Sequence, residues 1–307
     1  MIPIMRIDHI GQVVPDVDAQ IPLLEGLFGF HTVSRWEDTV AGHRGARLAV
    51  PGRSEIHWEV MAPIDGDGHL QAYIDSPRGP GVHHVGIEVA SLTDTAEQVG
   101  RLGIETDSAH GSRLDAWMNP RAEEGLLYRF GERNESGCGG SFHVGPPAAE
   151  RDNTLGIKGI DHICQAFWDR DEMARWYEQQ AAYQERWRTP DGEHDDLADL
   201  VMEVPGGQLS WEVIQPVGEG SFIERFVETR GPSAHHVTFE VADWEAALAA
   251  CEHHSTPTFD PNEGVTDGAR WHDAFIHPKH TGGMLVQLFW EEKHGVWVRS
   301  DKVPSGR

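Results

Sequence analysis

The chain is short of positive charge. It has 25 lysines and arginines against 50 acidic residues, a net charge of −25. Nucleic-acid binding needs a basic surface to displace counterions, so that class of partner is excluded. A polyanion such as an acyl-CoA would need a local basic patch set against the global field. Long apolar runs are also missing, and no stretch is long enough to cross a bilayer. The opening Met1-Ile-Pro-Ile-Met-Arg-Ile alternates like a strand and lacks the form of a signal peptide. Cysteine is scarce: Cys138, Cys164 and Cys251 lie far apart, with no CxxC spacing. These absences lead us to expect a cytoplasmic protein in a reducing compartment, with no membrane partner. What is present suits two globular domains: 307 residues, 39% of them hydrophobic. The nineteen histidines stand out, though most can be surface residues.

The chain repeats itself. Ile7-Asp8-His9-Ile10 returns as Ile160-Asp161-His162-Ile163, and Trp58-Glu59-Val60 as Trp211-Glu212-Val213. Arg78-Gly79-Pro80, with His83-His84-Val85 after it, returns as Arg230-Gly231-Pro232 with His235-His236-Val237. Glu88-Val89-Ala90 returns as Glu240-Val241-Ala242. The offsets are 153 or 152 throughout, which marks a duplication. A finer period lies inside each half: His9 to His84 spans 75 residues, His162 to His236 spans 74, and Glu212 to Gln287 spans 75. Four modules follow. We read residues 1–134 as one domain, the Gly- and Pro-rich 135–156 as a linker, 157–292 as a second domain and 293–307 as a polar tail.

Each module begins with a short apolar run around its histidine. A helix is expected next: 169–183 in the third module with Asp169 or Asp171 as N-cap, Ser91 to Gly103 in the second, and 244–253 after Asp243 in the fourth. Short alternating segments split by Gly and Pro come last and read as strands. The unit is strand, helix and about three strands, an α+β fold.

Four positions share the repeat register. In the second half they are His162 and His236 on first strands, and Glu212 and Gln287 on last strands. Imidazoles with carboxylate and amide oxygens suit a divalent ion: Co, Ni, Zn, Mn or Fe. A lone strand histidine is more often structural than ligating. Register lifts this set above that reading, because two pseudo-symmetric modules each supply one donor from the first strand and one from the last.

The segments Asp161-His162-Ile163, Trp211-Glu212-Val213-Ile214-Gln215-Pro216, His235-His236-Val237-Thr238-Phe239-Glu240-Val241 and His277-Pro278-Lys279-His280-Thr281-Gly282-Gly283-Met284-Leu285-Val286-Gln287-Leu288 resemble the signatures of methylmalonyl-CoA epimerases. That family belongs to the vicinal-oxygen-chelate superfamily, with glyoxalase I and the extradiol dioxygenases. The resemblance covers nearly all of 157–292 and implies paired βαβββ modules, two glyoxalase-like domains in all, whose sheets curl around a metal-bearing pocket. It places the ligands on His162, Glu212, His236 and Gln287. The family has Glu where Gln287 stands, and links that Glu to proton transfer. An amide is not basic, so the base must be another residue or the reaction another one. Asp199 and Glu203 lie on the strand where the epimerases keep a further catalytic Glu. The first half keeps His9, Glu59 and His84 but has Arg129 in the fourth place. An arginine cannot ligate a metal, so this half reads as a degenerate copy, with Glu59 expected to pair with Arg129.

The leading functional reading is a metal-dependent isomerase, epimerase or lyase that stabilises the enolate of a small carbonyl substrate, an acyl-CoA among the candidates. The runner-up is an iron(II) extradiol-type dioxygenase. It lacks a convincing counterpart of the further catalytic His and Tyr, with only four tyrosines present, although His194, His272 and His280 are available. The third is metal-free binding of a small molecule, with Trp58, Trp117, Trp211 and Trp271 as a possible aromatic pocket and core packing as the default for them. Because each chain already holds two halves, a monomer or a homodimer is expected.

Overall fold

In the computed structural model, which describes residues 1–52, 55–66, 68–104, 106–107, 113–118, 125–132, 152–190, 192 and 196–295, every quarter of the chain is a strand, a helix and three strands. The first module is β1 (Ile4–Val13), α1 (Val17–Gly26), β2 (His31–Asp38), β3 (His43–Ala49) and β4 (His57–Pro63). A helix not foreseen from sequence, α2 (Gly68–Asp75), leads to the second: β5 (Gly81–Val89), α3 (Leu92–Arg101), β6 (Thr106–Asp107), β7 (Arg113–Met118) and β8 (Leu126–Glu132). The third is β9 (Ile157–Ala166), α4 (Arg170–Ala181), β10 (Gln184–Arg188), β11 (Leu197–Glu203) and β12 (Ser210–Pro216). A second unforeseen helix, α5 (Phe222–Arg230), leads to β13 (Ser233–Val241), α6 (Trp244–His253), β14 (Thr258–Thr266), β15 (Ala269–Ile276) and β16 (Leu285–Glu291). Among the described residues no helix is long and apolar enough to cross a membrane.

The helix starts follow side-chain chemistry. Ser91, Asp169 and Asp243 cap α3, α4 and α6, each accepting from a backbone N–H inside the first turn. The third-module helix is shorter than expected because Ala182 turns into the left-handed region at φ 58° and ends it. Ser221 caps α5, its Oγ accepting from Glu224 N at 3.0 Å, and is itself buried. Ser221→Ala should cost about 1 kcal/mol, read as a shift of the urea midpoint at unchanged m-value; a shift near zero would show that α5 is held by its packing alone.

Two eight-stranded sheets result, in the orders β2-β3-β4-β1-β5-β8-β7-β6 and β10-β11-β12-β9-β13-β16-β15-β14. In each, two modules meet along their first strands, which run antiparallel, while the last strand of each module runs parallel beside its first. The four central strands of the second sheet are buried on both faces. One face is apolar: Ile163, Trp211, Val213, Val237, Phe239, Val286 and Leu288 join a core cluster that includes residues of both halves. Phe239 packs on Phe28, Phe30 and Trp58, and Trp211 packs on Tyr128, Tyr177 and Tyr183. Tyr128 keeps its hydroxyl satisfied inside this core through Tyr177 at 3.2 Å and Tyr183 at 3.0 Å. The other face forms a cup lined by polar side chains, with α5 sealing one side by packing Ile223 and Val227 on Cys164, Ala166 and Ile214. Cys164 and Cys251 are buried free thiols; Cys138 lies outside the described residues.

The Pro-Lys-His-Thr-Gly-Gly segment docks the halves together. Gln12 and Gln20 of the first half both donate to Thr281 O, at 2.8 and 3.2 Å. Gly283 has φ +92°, and a Cβ there would sit 2.1 Å from Pro80 O. Only glycine permits that approach. Of the stretch expected as a linker, 135–151 lies outside the described residues, while Leu155 is in the core and its N–H donates to Leu27 O.

Candidate metal centre

The register of the central strands places the predicted donors in two rows. Glu212, Cys164 and His236 pair across β12, β9 and β13, while His162, Thr238 and Gln287 pair across β9, β13 and β16. A pseudo-two-fold axis between β9 and β13 exchanges His162 with His236, Cys164 with Thr238, and Glu212 with Gln287. The four donors thus meet at the centre of the cup, all buried.

The distances define a tight set. His162 Nε2 and His236 Nε2 are 3.2 Å apart, and Glu212 Oε2 lies 3.6 and 3.4 Å from them. The ligand atoms of these three residues all fall within 4.8 Å of one another. The Thr238 hydroxyl lies 2.8 Å from His162 Nε2 and donates to Gln287 Oε1 at 2.7 Å, which draws the amide oxygen into the group. His162 Nδ1 meets Asp161 Oδ1 at 2.7 Å, so Nε2 is the nitrogen aimed into the cup. A β-bulge between Ala234 and His236 brings the His235 and His236 Nδ1 atoms to 2.9 Å.

These residues fit a divalent ion. Glu212 Oε2 is buried, makes no hydrogen bond and faces two imidazole nitrogens. Burial, with His235 and His162 nearby, holds the His236 pKa well below its ordinary value, which leaves a neutral ring of the kind that can ligate a metal. Burial works against charge on His162 as well. There the Asp161 hydrogen bond and the charges of Glu212 and Asp199 overcome it and raise the pKa. A proton held on His162 beside Glu212 is one that a bound ion would displace.

Asp199 and Glu203 part company. Asp199 lies on β11, across from β12 and diagonal to Glu212, and its Oδ1 is buried without a hydrogen bond. Burial and the Glu212 charge push its pKa up to about 8. Glu203 sits beyond the cup, opposite Ser210, and is ion-paired with Arg186 at the surface. It does not meet the donors.

Sequence reasoning missed Asp273. This buried residue on β15 lies diagonal to Gln287 and accepts from Asn262 Nδ2 at 3.3 Å. Burial raises its pKa to about 6, against hydrogen bonds from Asn262 and Gln287. The signal was available: Asp199 and Asp273 stand 74 residues apart, the spacing of the two histidines.

The first half forms a related cluster. His9 Nε2 and His84 Nε2 are 3.0 Å apart, with Glu59 Oε2 3.5 Å from His9. The cluster's ligand atoms also lie within 4.8 Å of one another, and two arginines reach into it. Arg47, 3% exposed, reaches Glu59 at 3.4 Å and Asp8 at 2.7 Å; Arg129 lies 3.2 Å from His84 Nε2 and pairs with Asp115 at 2.9 Å. The expected Glu59–Arg129 pair is therefore corrected: β3 sets Arg47 directly opposite Glu59, and β7 sets Asp115 opposite Arg129.

The four tryptophans do not gather into one pocket. Trp58 and Trp211 are fully buried in the core, Trp117 is 40% exposed, and Trp271 donates to Thr266. His272 stacks on Trp244 of α6, His280 lies in the turn after β15, and His194 is outside the described residues.

Comparisons with known proteins agree with this architecture. The Glyoxalase/Bleomycin resistance protein/Dioxygenase superfamily model matches residues 8–114 and again 161–275. Human mitochondrial methylmalonyl-CoA epimerase is 28% identical over 131 residues, 42% of this chain and 72% of that protein. A mutant of 4-hydroxymandelate synthase from Streptomyces coelicolor superposes with a TM-score of 0.68 at 13% identity, covering 94% of this chain and 93% of that one. The 2,3-dioxygenase LapB from Pseudomonas sp. KL28 superposes at 0.58 with 15% identity over 94% and 93%. These two structures share the whole-chain fold. Two matches of one family model, covering most of the chain and falling on the two halves, show that this protein belongs to the glyoxalase/bleomycin resistance/dioxygenase superfamily as a tandem member.

Proposed function

We propose that the C-terminal half holds a divalent metal ion through His162, Glu212, His236 and Gln287 and catalyses proton transfer beside a carbonyl, as an isomerase, epimerase or lyase. The observation that carries this reading is the pair Asp199 and Asp273. Each lies on the strand next to a donor, Asp199 beside Glu212 and Asp273 beside Gln287, so one carboxyl flanks each side of the cup. A bound ion supplies Lewis acidity to a carbonyl oxygen. Gln287 cannot take up a proton, so that duty passes to the carboxyl next to it. With one carboxyl on each side, one can remove a proton from the carbon and the other can deliver one to the opposite face. The histidine donors are buried, and α5 packs Ile223 and Val227 against the sheet at one side of the cup. The substrate class, carbonyl compounds with an acidic α-hydrogen, includes the thioester in the human relative's name.

The test is hydrogen exchange in D2O. Protein loaded with Co, Ni, Zn or Mn is incubated with a panel of 2-oxo acids and acyl thioesters, methylmalonyl-CoA among them, and loss of the α-proton signal is followed by NMR. Asp199→Asn and Asp273→Asn should each slow exchange by about 10²–10⁴-fold while keeping the metal. Exchange that both variants leave unchanged would remove the two carboxyls from the mechanism.

One observation favours a second reading. His162, His236 and Glu212 by themselves form a two-His-one-carboxylate set, the arrangement used by non-haem iron(II) oxygenases. Oxygen uptake by the iron(II)-loaded protein, with no exchange under nitrogen, would support it over proton transfer.

A further inference from the structure

Gln287 is a donor with two unlike ends. Its amide oxygen can ligate a cation, while its amide nitrogen carries two hydrogens and cannot. The two ends are nearly alike in size, so packing does not choose between them and hydrogen bonds must. Thr238 stands directly opposite Gln287 on one side and His162 on the other, and is fully buried. Its hydroxyl has one proton, which goes to Gln287 Oε1 at 2.7 Å, while its lone pairs face His162 Nε2 at 2.8 Å. The amide oxygen keeps a second lone pair for an ion. At the far end the amide nitrogen donates to the Asp273 carboxyl.

The duplicated halves supply a contrast. At the place of Thr238 the first half has Gly86, opposite His9 and Arg129. A Cβ on Gly86 would lie 2.1 Å from His9 Cε1, so the His9 ring fills the space of a side chain there. The half whose fourth residue is an amide has the hydroxyl. The half whose fourth residue is an arginine, which offers donors alone, has none. Across the pseudo-two-fold axis Cys164 stands opposite Glu212. The two oxygens of a carboxylate are alike, so the thiol, a weak donor, has no such choice to settle. We propose that Thr238 is a positioning residue: its hydroxyl holds the Gln287 amide with the oxygen toward the ion and the nitrogen toward Asp273. This deepens the proposed function and rests on its metal centre.

The test is a double-mutant cycle read on metal binding rather than on turnover. Affinity of the full chain for cobalt(II) is measured by competition with a chromogenic chelator. Thr238→Val keeps the side-chain shape without the hydroxyl and should weaken binding by about 10–100-fold. Thr238→Ser keeps the hydroxyl and should bind like the wild type. In the Gln287→Glu background either oxygen can ligate, so Thr238→Val should cost about tenfold less. Equal losses in the two backgrounds overturn the proposal, because a merely structural threonine acts without regard to residue 287. Thr238→Ala serves where Thr238→Val fails to fold. The amide is also followed in the metal-free protein by nitrogen-15 NMR, its side-chain signal assigned by its absence in Gln287→Glu. Thr238→Val should shift that signal and speed its exchange with solvent, and Thr238→Ser should do neither. A signal unchanged in Thr238→Val overturns the proposal even where metal binds. A wild type that binds no cobalt sinks the metal reading, and the NMR comparison then decides by itself whether Thr238 holds the amide.

Discussion

Glu212→Ala will lower affinity for a divalent ion by more than about 100-fold, beyond the loss expected for a group that only supports a ligand, and will bring proton exchange to background. Glu212 is the one carboxylate in the donor set, 3.4 and 3.6 Å from the two imidazole nitrogens. Its removal leaves two neutral rings and an amide, with no anionic donor to offset the ion's dehydration. Glu212→Gln is the informative companion, because it keeps the shape and an oxygen donor while removing the charge. Metal titration should rank wild type above Glu212→Gln and that above Glu212→Ala. Equal affinities in all three would place the ion elsewhere. Loss of the Glu212 charge also acts on Asp199, since that charge helps to raise the Asp199 pKa. Above neutral pH, a stability difference between Glu212→Gln and wild type should reflect relief of this carboxyl pair.

Trp58→Ala will destabilise the protein by about 3–5 kcal/mol. Trp58 is fully buried, packs on Phe30 of its own half and Phe239 of the other, and donates Nε1–H to Gln12 Oε1 at 3.0 Å. Gln12 in turn donates to Thr281 O and Gly282 O. Truncation therefore opens a cavity and leaves Gln12 Oε1 without its donor, at the seam between the halves. The wild type should unfold in one transition by urea, because the main core cluster includes residues of both halves. The variant should keep one transition at a lower midpoint. Two transitions in the variant would show that the halves fold independently and that the seam contributes little.

The fold was legible because duplication made each module a check on the others. The four donors share a 74- or 75-residue spacing, and the structure gathers them in two rows of one sheet. Asp273 carries the same spacing from Asp199 and went unread because no signature segment contains it. Helix α5 was also present in the sequence. Ser221-Phe222-Ile223-Glu224 has the Ser-x-x-Glu form of a capping box, with Glu224 accepting from Gly220 N, but it follows a glycine-rich stretch that reads as loop. Glu203 and the Glu59–Arg129 pair could not be judged from spacing. Whether a strand residue meets its neighbour depends on cross-strand register, and here register gives Glu203 to Ser210 and Glu59 to Arg47.

The most direct test of the account is metal per chain. The protein is purified without chelator or metal-binding tag and analysed for its elements, beside His236→Ala and Glu59→Gln. The account predicts about one ion per chain, lost in His236→Ala and kept in Glu59→Gln, since Arg47 and Arg129 bring positive charge against Glu59 and His84 in the first-half cluster. Two ions per chain would contradict a silent first half. No ion, even after reloading with Co, Ni, Zn, Mn and Fe in turn, would contradict the metal centre itself.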